Sequence, residues 1–411
     1  MNQPASHSFP LRRLAVLVST MGAGQVILLT LVPLISALCG LSIASLGGLV
    51  ALGTACFMLA APVWGGLSDR LGRKPVLIAG VLGILLAQSL FTLFLLLLAA
   101  GTVSTTQGLW ALGMSRLVYG LFGAAIYPAC QAWAVDNSVP ARRLAVLSNM
   151  SAAANLGRML GPVLALPGLG LAWLGLGELW ALVWLPLLPA ASLLLLLPMP
   201  GGARSPVVEP VLDVPRLNLP IFALCTVALL ATVAIGQLQI MLGPVLGDFY
   251  ALDAVTASSV TAWLLLGVAV ISVAVQLGFV RRVQAPRSCL VLGAGLLLVG
   301  ISLLWWQLGS LRALAGLVVF VMGVACIVPA YTSLLSEQGG GRLGRAFGFL
   351  TLMHTAGYTI GFAVGGWGYT ASASQPLLGL LLAVLLMGVA VLMVLLSPRR
   401  QDTYVVGGAG V

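Results

Sequence analysis

The chain has 411 residues, of which 60% are apolar and only 7% are charged. Soluble globular proteins carry about 25% charged residues, so this composition excludes a soluble enzyme, a secreted disulfide scaffold and a disordered chain. A chain this apolar is expected to have lipid as its main solvent. The formal net charge of +10 does not indicate a nucleic-acid partner, because nearly all the cations lie between apolar blocks.

Twelve apolar blocks are long enough to be membrane-spanning helices, since about 20 apolar residues cross a bilayer core. Helices are the expected spanning element because irregular backbone cannot face lipid. The predicted spans, numbered 1 to 12, cover residues 14–38, 44–67, 76–100, 108–135, 144–168, 176–197, 218–247, 255–280, 288–308, 311–336, 345–371 and 375–397.

Positive side chains are distributed unevenly between the loops on the two sides of these spans. One set of loops holds 16 of the 19 Lys and Arg residues, and the opposite set holds only Arg312. Such an excess marks the cytoplasmic side. Both termini are therefore predicted to be cytoplasmic, and the chain is expected in the inner (cytoplasmic) membrane as a multi-pass protein.

The chain divides into two halves with similar sequence patterns. Gly157 and Gly161 in span 5 match Gly357 and Gly361 in span 11 at a constant shift of 200. The predicted fold is all-α, with 12 transmembrane helices in two pseudo-symmetric six-helix bundles, which is a transporter architecture. The predicted divisions are a cytoplasmic tail at 1–13, a bundle at 14–197, a proline-rich cytoplasmic linker at 198–216, a bundle at 217–397 and a cytoplasmic tail at 398–411.

The loop after span 2 carries a signature. Its fixed positions are Gly65, Asp69, Arg70, Gly72, Arg73 and Lys74. This loop resembles the G-x-x-x-D-R-x-G-R-K motif of the major facilitator superfamily. The resemblance implies the twelve-helix fold of that family and transport by alternating access.

Two further motifs carry the same resemblance. Span 4 has Arg116, Tyr119 and Gly120, similar to R-x-x-Q-G with tyrosine replacing glutamine. Span 5 has Gly157, Gly161 and Pro162, which resemble the antiporter motif of the drug/proton branch. Ala165 and Leu166 replace the usual terminal glycine pair of that motif. The span 5 motif implies export, with a proton gradient as the expected driving force.

Charged residues at the inner ends of the spans are candidates for gating. Asp69 is placed to meet the positive N-terminus of a neighbouring helix, and the cations Arg70, Arg73 and Lys74 are candidate partners for Asp136. In the family such contacts latch the cytoplasmic side in the outward-open state. The alternative is that these charges only set orientation. The gating candidates are Gly65, Asp69, Arg70, Gly72, Arg73, Lys74, Asp136, Arg142, Gly157, Gly161, Pro162, Glu337 and Arg342.

Arg116 and Arg158 are predicted to lie inside the membrane. Each is about nine residues below the outer end of its span, or roughly 14 Å deep. A central arginine costs roughly 2.5–3.5 kcal/mol on insertion scales, and no Asp or Glu falls in the interior of any span. The hypothesis is a shared pocket of charge +2 that binds an anionic or carboxylate-bearing solute. Alternatively, Arg116 is structural or takes part in proton coupling, and Arg158 bonds backbone carbonyls beside Pro162.

Other polar residues within the spans are expected to line the same cavity. Ser151 and Asn155 share a helix face with Arg158 at 100° per residue. The predicted substrate-binding residues are Arg116, Arg158, Asn155, Ser151, Tyr127, Gln25, Gln237 and Tyr358. His354 is the candidate for carrying a coupling proton, and its alternative role is a hydrogen bond within the helix packing.

These features predict a secondary transporter that exports a small anionic compound, such as a siderophore or related metal chelator, by proton antiport. The alternatives are an importer or exchanger of organic anions, a multidrug efflux pump and a non-transporting sensor. The sequence has no catalytic constellation and no Walker A motif, so neither an enzyme nor ATP-driven transport is expected. No cofactor and no metal site are predicted. The expected partners are a small-molecule substrate and the lipid bilayer, with the protein as a monomer.

Overall fold

The computed structural model describes residues 11–139, 143–175, 177, 179–199, 219–283, 285–307, 310–338, 343–371 and 377–396. Most of these residues are helical, and no strand occurs among them. Of the predicted linker, only Pro198 and Met199 are described. The rest of the linker, the C-terminal tail and residues 1–10 of the N-terminal tail lie outside the described residues.

Each of the twelve predicted spans is helical, which confirms the predicted fold class. The helices of the N-terminal half are Leu11–Thr30 and Val32–Cys39 (span 1), Ile43–Leu71 (span 2), Arg73–Ala99 (span 3), Thr105–Gly123 and Ile126–Asp136 (span 4), Arg143–Trp173 (span 5) and Trp184–Leu196 (span 6), the last preceded by a 3-10 turn at Trp180–Val183.

The C-terminal half repeats this order. Its helices are Leu219–Tyr250 (span 7), Ala254–Val275 continued through a π-turn at Gln276–Val280 to Arg281–Val283 (span 8), Pro286–Gln307 (span 9), Ala313–Gln338 (span 10), Leu343–Ala371 (span 11) and Leu378–Leu396 (span 12). Within the described part of the chain, ten helices are long and apolar enough to cross a membrane, and Trp180–Leu196 is a shorter apolar helix.

Spans 1 and 4 are interrupted, whereas the sequence predicted continuous helices. Span 1 breaks at Leu31, two residues before Pro33, and span 4 breaks at Ala124 and Ala125, just before Pro128. A proline lacks the N–H donor, and its ring clashes with the carbonyl four residues earlier. In span 4 that carbonyl belongs to Ala124, so the break lies where the proline requires it.

Spans 2 and 3 are joined by a single residue, Gly72. Its backbone has φ 95° and ψ 159°, a conformation that residues with a Cβ rarely adopt. The Gly72 N–H donates to the Ser68 carbonyl at 3.1 Å and closes span 2. The signature loop is therefore mostly helical, and both spans extend beyond their predicted ends at residues 67 and 76.

The packing of the two halves is related by the predicted duplication. Span 1 packs on spans 5 and 6, and span 7 packs in the same way on spans 11 and 12. Span 3 packs on spans 4 and 6, and span 9 packs on spans 10 and 12. Between the halves, span 2 packs on span 11 and span 5 packs on span 8, which are equivalent pairs under the same exchange.

Hydrogen bonds join the halves at the predicted outer end. The Leu34 N–H donates to Ser258 Oγ at 3.2 Å, and the Ala44 N–H donates to Thr370 Oγ1 at 3.2 Å. Further along span 2, the hydroxyls of Thr54 and Thr359 are 2.9 Å apart. These bonds hold spans 1 and 2 against spans 8 and 11, so the two halves are in contact at the predicted outer end.

Candidate functional site

The charged residues of the signature loop form one ion-pair cluster around Arg73. Its side chain is only 5% exposed. Nη1 donates to Asp69 Oδ1 at 2.6 Å and to Ser68 Oγ at 3.0 Å, and Nε donates to Asp136 Oδ2 at 2.9 Å. The structure therefore brings Asp69 and Asp136 together through one guanidinium, so that spans 2, 3 and 4 are tied at their predicted inner ends. Arg70 is exposed.

Lys74 has a different partner from the one predicted. Its Nζ donates to the carbonyls of Leu197 at 2.9 Å and Met199 at 2.5 Å. The last carbonyls of a helix lack intrahelical donors, and a cation near them is also favoured by the helix dipole. Lys74 therefore joins the start of span 3 to the end of span 6 instead of pairing with Asp136.

The structure gives no ion-pair role to the remaining gating candidates that it describes. A Cβ at Gly65 would meet nothing within 4 Å, so the helix packing does not explain that glycine. Arg142 and Arg342 lie outside the described residues, as does the side chain of Glu337. Pro162 lies within the continuous helix of span 5.

Gly157 and Gly161 bring spans 1 and 5 into backbone contact. A Cβ on Gly157 would lie 1.9 Å from the Ser19 carbonyl oxygen, and one on Gly161 would lie 2.8 Å from that of Ala23. Ser19 Oγ also donates to the Ala153 carbonyl at 2.7 Å. Span 11 approaches span 7 in the same way through Gly357 and Gly361. Small residues allow helix backbones to come this close in a membrane.

Arg116 is enclosed within the N-terminal bundle. It is 3% exposed, and its Nη2 donates to Gln88 Oε1 of span 3 at 2.6 Å. Its guanidinium carbon lies 3.8 Å from the centre of the Phe91 ring and 4.9 Å from that of Tyr119. Its Nε has no hydrogen-bond partner among the described residues.

This placement corrects the prediction that Arg116 shares a pocket with Arg158. The depth of Arg116 is near the middle of its span, but its side chain points towards span 3. Sequence reasoning missed Gln88, although a glutamine within the apolar run of span 3 was an available signal. Two aromatic faces and one amide oxygen are favourable surroundings for a buried guanidinium.

Arg158 is exposed on the side of span 5 that faces the other half. Its guanidinium carbon lies 5.9 Å from the centre of the Tyr358 ring in span 11, and its Nη1 is 3.4 Å from Asn155 Oδ1. Tyr119 and His354 lie within electrostatic range of it. The group thus lies between the halves, at the middle of span 5.

The exposed face around Arg158 is not the lipid-facing side of span 5. Ser151 and Asn155 are exposed and share the Arg158 face, whereas the exposed leucines Leu156 and Leu160 lie on roughly the opposite face at 100° per residue. The Ser151 hydroxyl is 3.0 Å from that of Tyr127 in span 4. The structure therefore places Ser151, Asn155, Arg158 and Tyr127 along one polar surface.

His354 forms the polar surface of the opposing half. Its Nε2 is 2.7 Å from the hydroxyl of Tyr331 in span 10, and the two rings meet edge to face with centres 5.6 Å apart. Sequence reasoning did not single out Tyr331. It is 1% exposed, whereas His354 is only partly buried.

The two glutamines have unequal environments. Gln25 is half-buried in span 1. Gln237 is 1% exposed, and its Oε1 lies where a Cβ on Gly379 would be only 2.8 Å away. That oxygen has no hydrogen-bond partner among the described residues. Gln237 is therefore enclosed by spans 7, 11 and 12, which corrects its prediction as a cavity-lining residue.

An apolar cavity lies between spans 7, 8 and 10 of the C-terminal half. Its walls include Leu238, Leu242, Leu265 and Phe320, with Gln239 as a polar member. In the part of the chain that the structure describes, no group of three or more His, Cys, Asp or Glu residues is arranged to hold a metal ion.

The sequence model of the Major Facilitator Superfamily matches residues 14–342. The chain belongs to this superfamily of transporters. The residues of the signature loop, of the span 4 motif and of the span 5 motif described above all lie within the matched range.

Solved structures of the superfamily share this fold. A bacterial homologue of the iron transporter ferroportin, in an inward-facing state, matches with a TM-score of 0.72 and 17% identity, covering 95% of this chain and 99% of that one. The human organic anion transporter MFSD10 (TETRAN) matches with a TM-score of 0.64 and 18% identity, covering 95% and 100%. Identities this low establish the fold alone.

A curated relative matches over a shorter stretch. The class C tetracycline resistance protein of Escherichia coli is 37% identical over 119 residues, which are 28% of this chain and 26% of that protein. The match thus spans about a quarter of the length of this superfamily relative.

Proposed function

We propose that this superfamily member is a secondary transporter that exports a small anionic, carboxylate-bearing organic compound by alternating access. The observation that carries the proposal is the position of Arg158. It is an exposed cation at mid-span, it faces the other half, and its described neighbours are an amide and aromatic rings.

The chemistry of this surface favours a carboxylate. No described carboxylate pairs with Arg158, because the described acids Asp69, Asp136, Asp248 and Asp253 lie at or beyond the ends of the spans. Arginine presents a planar fork of donors that fits a carboxylate or phosphate with two parallel hydrogen bonds. The hydroxyls of Tyr127 and Ser151 add donors on the same surface.

We also propose the direction of transport and its driving force. An exporter takes up its substrate from the inner side, and the bonds of spans 1 and 2 with spans 8 and 11 join the halves at the opposite, predicted outer end. The span 5 motif supports antiport, and we propose protons as the exchanged ions. Carboxylate siderophores and related metal chelators are the proposed substrate class.

The test compares the parent with Arg158→Gln and with Arg312→Gln. The control removes the same charge from an exposed residue in a predicted outer loop. Purified proteins are screened for thermal stabilisation by citrate, succinate, benzoate and metal-free and metal-loaded chelators. We expect the parent and the control to be stabilised and Arg158→Gln to lose stabilisation. Equal stabilisation of all three proteins would refute the anion site.

Flux in proteoliposomes tests transport itself. Counterflow of the stabilising anion, with and without a pH gradient, distinguishes proton-driven export from an importer or an anion exchanger. A protein that binds the anion and moves none of it would be a sensor.

A second candidate function is multidrug efflux. The 37% identity with the tetracycline resistance protein over 119 residues favours it. In that case uncharged or cationic drugs would stabilise the parent and Arg158→Gln alike, and carboxylates would stabilise neither.

A further inference from the structure

The hydrogen bond between Tyr331 and His354 fixes the chemistry of a histidine at the surface between the halves. Tyr331 is 1% exposed and its hydroxyl lies 2.7 Å from His354 Nε2. The described residues offer this buried O–H no other acceptor. A buried hydroxyl hydrogen without an acceptor is costly, so Tyr331 donates and Nε2 accepts.

An accepting Nε2 determines the tautomer of His354. In a neutral imidazole one nitrogen accepts and the other carries the hydrogen, so Nδ1 is protonated. No described protein group bonds Nδ1, and His354 is only partly buried. The Nδ1–H is therefore free to donate to a solute between the halves.

We propose that Tyr331 is a positioning residue that holds His354 neutral, and that the His354 Nδ1–H binds the substrate anion together with Arg158. The anion then contacts an arginine from span 5 and a histidine from span 11. The anion-binding role of the Nδ1–H rests on the proposed function, whereas the tautomer of His354 does not depend on it.

The groups around His354 support a neutral ring. Arg158 faces it from span 5, Tyr331 from span 10, and Tyr358 lies one turn away on span 11. No carboxylate is among its described neighbours. A second positive charge would be opposed by Arg158, and it would require Tyr331 to lose its acceptor. This assignment is an alternative to the predicted role of His354 as carrier of the coupling proton.

Nitrogen NMR reads the tautomer directly. The chain has two histidines, so His7→Gln leaves His354 as the sole labelled ring when histidine is enriched in ¹⁵N. We expect a protonated Nδ1 and an unprotonated Nε2 at neutral pH. An imidazolium or the Nε2–H tautomer at neutral pH would overturn the assignment.

Variants test the role of the Tyr331 hydroxyl. Tyr331→Phe removes the donor, and we expect a mixture of the two neutral tautomers. Tyr250→Phe is the matched control, because its hydroxyl donates at 2.5 Å to the Ser310 carbonyl far from this site. An unchanged ¹⁵N pattern in Tyr331→Phe would overturn the positioning role.

Binding of citrate or benzoate, measured by titration calorimetry on the full chain, tests the donor. A hydrogen bond to a charged group corresponds to about a 10- to 100-fold change in affinity. We expect that loss in His354→Phe, and binding within a few-fold of the parent in His354→Gln, which retains an N–H donor. Full affinity in a folded His354→Phe would refute the donor role.

The experiments distinguish failure of the proposed function from failure of the proposed role of His354. If Arg158→Gln binds these anions as the parent does, or if the parent binds neither, the proposed function and with it the donor role are refuted, while the NMR pattern still decides the tautomer. If Arg158→Gln loses binding and His354→Phe keeps it, only the donor role of His354 is refuted.

Discussion

Gly157 is the position at which span 5 meets the backbone of span 1. A Cβ there would lie 1.9 Å from the Ser19 oxygen, whereas ordinary contacts begin at 3.4 Å. Gly157→Ala must therefore separate the two helices, which costs about 1–3 kcal/mol as overpacking. Alanine offsets up to about 1 kcal/mol through its higher helix propensity. We expect a net loss of about 1–2 kcal/mol in the free energy of unfolding.

Gly170→Ala is the matched control on the same helix, because a Cβ at that position meets nothing within 4 Å. We expect this variant to be as stable as the parent or up to about 1 kcal/mol more stable. Apparent melting temperatures in detergent can be followed with a thiol-reactive fluorophore, since cysteines such as Cys130 and Cys326 are buried until the chain unfolds. If Gly157→Ala melts at or above the temperature of Gly170→Ala, the close packing of spans 1 and 5 is refuted.

Four other variants test the contacts described above. Arg73→Gln leaves two carboxylates without their shared partner, so we expect a loss of about 1–3 kcal/mol of stability, contradicted by an unchanged melting temperature. Asp69→Asn is expected to impair transport and leave binding near normal; unchanged flux would remove its gating role. Gln88→Leu removes the amide oxygen that accepts from the buried guanidinium of span 4, which should cost about 2 kcal/mol and lower the melting temperature. The native hydroxyls of Thr54 and Thr359 are 2.9 Å apart, so Thr54→Cys combined with Thr359→Cys should form a disulfide that stops transport until it is reduced. Transport by the cross-linked protein would contradict the expectation that spans 2 and 11 separate during transport.

The fold was predictable because it depends on local sequence features, the apolar blocks, and because these features recur in both halves of the chain. Apolar blocks of sufficient length give the spans, and the shift of 200 between Gly157 and Gly357 reveals the duplication that the packing confirms. The breaks in spans 1 and 4 and the helical signature loop were not predicted, since hydropathy cannot separate a helix from a turn inside one apolar block. The residues that mark these features are Pro33 and Pro128, whose rings interrupt a helix, and Gly72, which allows the tight turn between spans 2 and 3.

The candidate site was less predictable than the fold. Their positions in the sequence predicted similar depths in the membrane for Arg116 and Arg158. Depth does not determine which neighbouring helix a side chain contacts. Arg116 turns towards Gln88 and Arg158 towards Tyr358, so one guanidinium is enclosed and the other is exposed between the halves. Helical spacing did group Ser151 and Asn155 with Arg158 correctly, because residues three and four apart share a face whatever the tertiary packing.

Arg158, an exposed arginine without a counter-ion among the described residues, also determines how a membrane potential acts on the proposed carrier. The empty site between the halves carries the charge of Arg158, and a bound monovalent anion neutralises it. Moving one charge through 100 mV is worth about 2.3 kcal/mol. In a membrane that is negative inside, the loaded site moves outward without opposition, and the empty, positive site is drawn back inward. Import of the same anion would need at least one accompanying proton to become electrically neutral. The charge of Arg158 therefore favours export, and the proposed proton exchange adds its own driving force in the same direction.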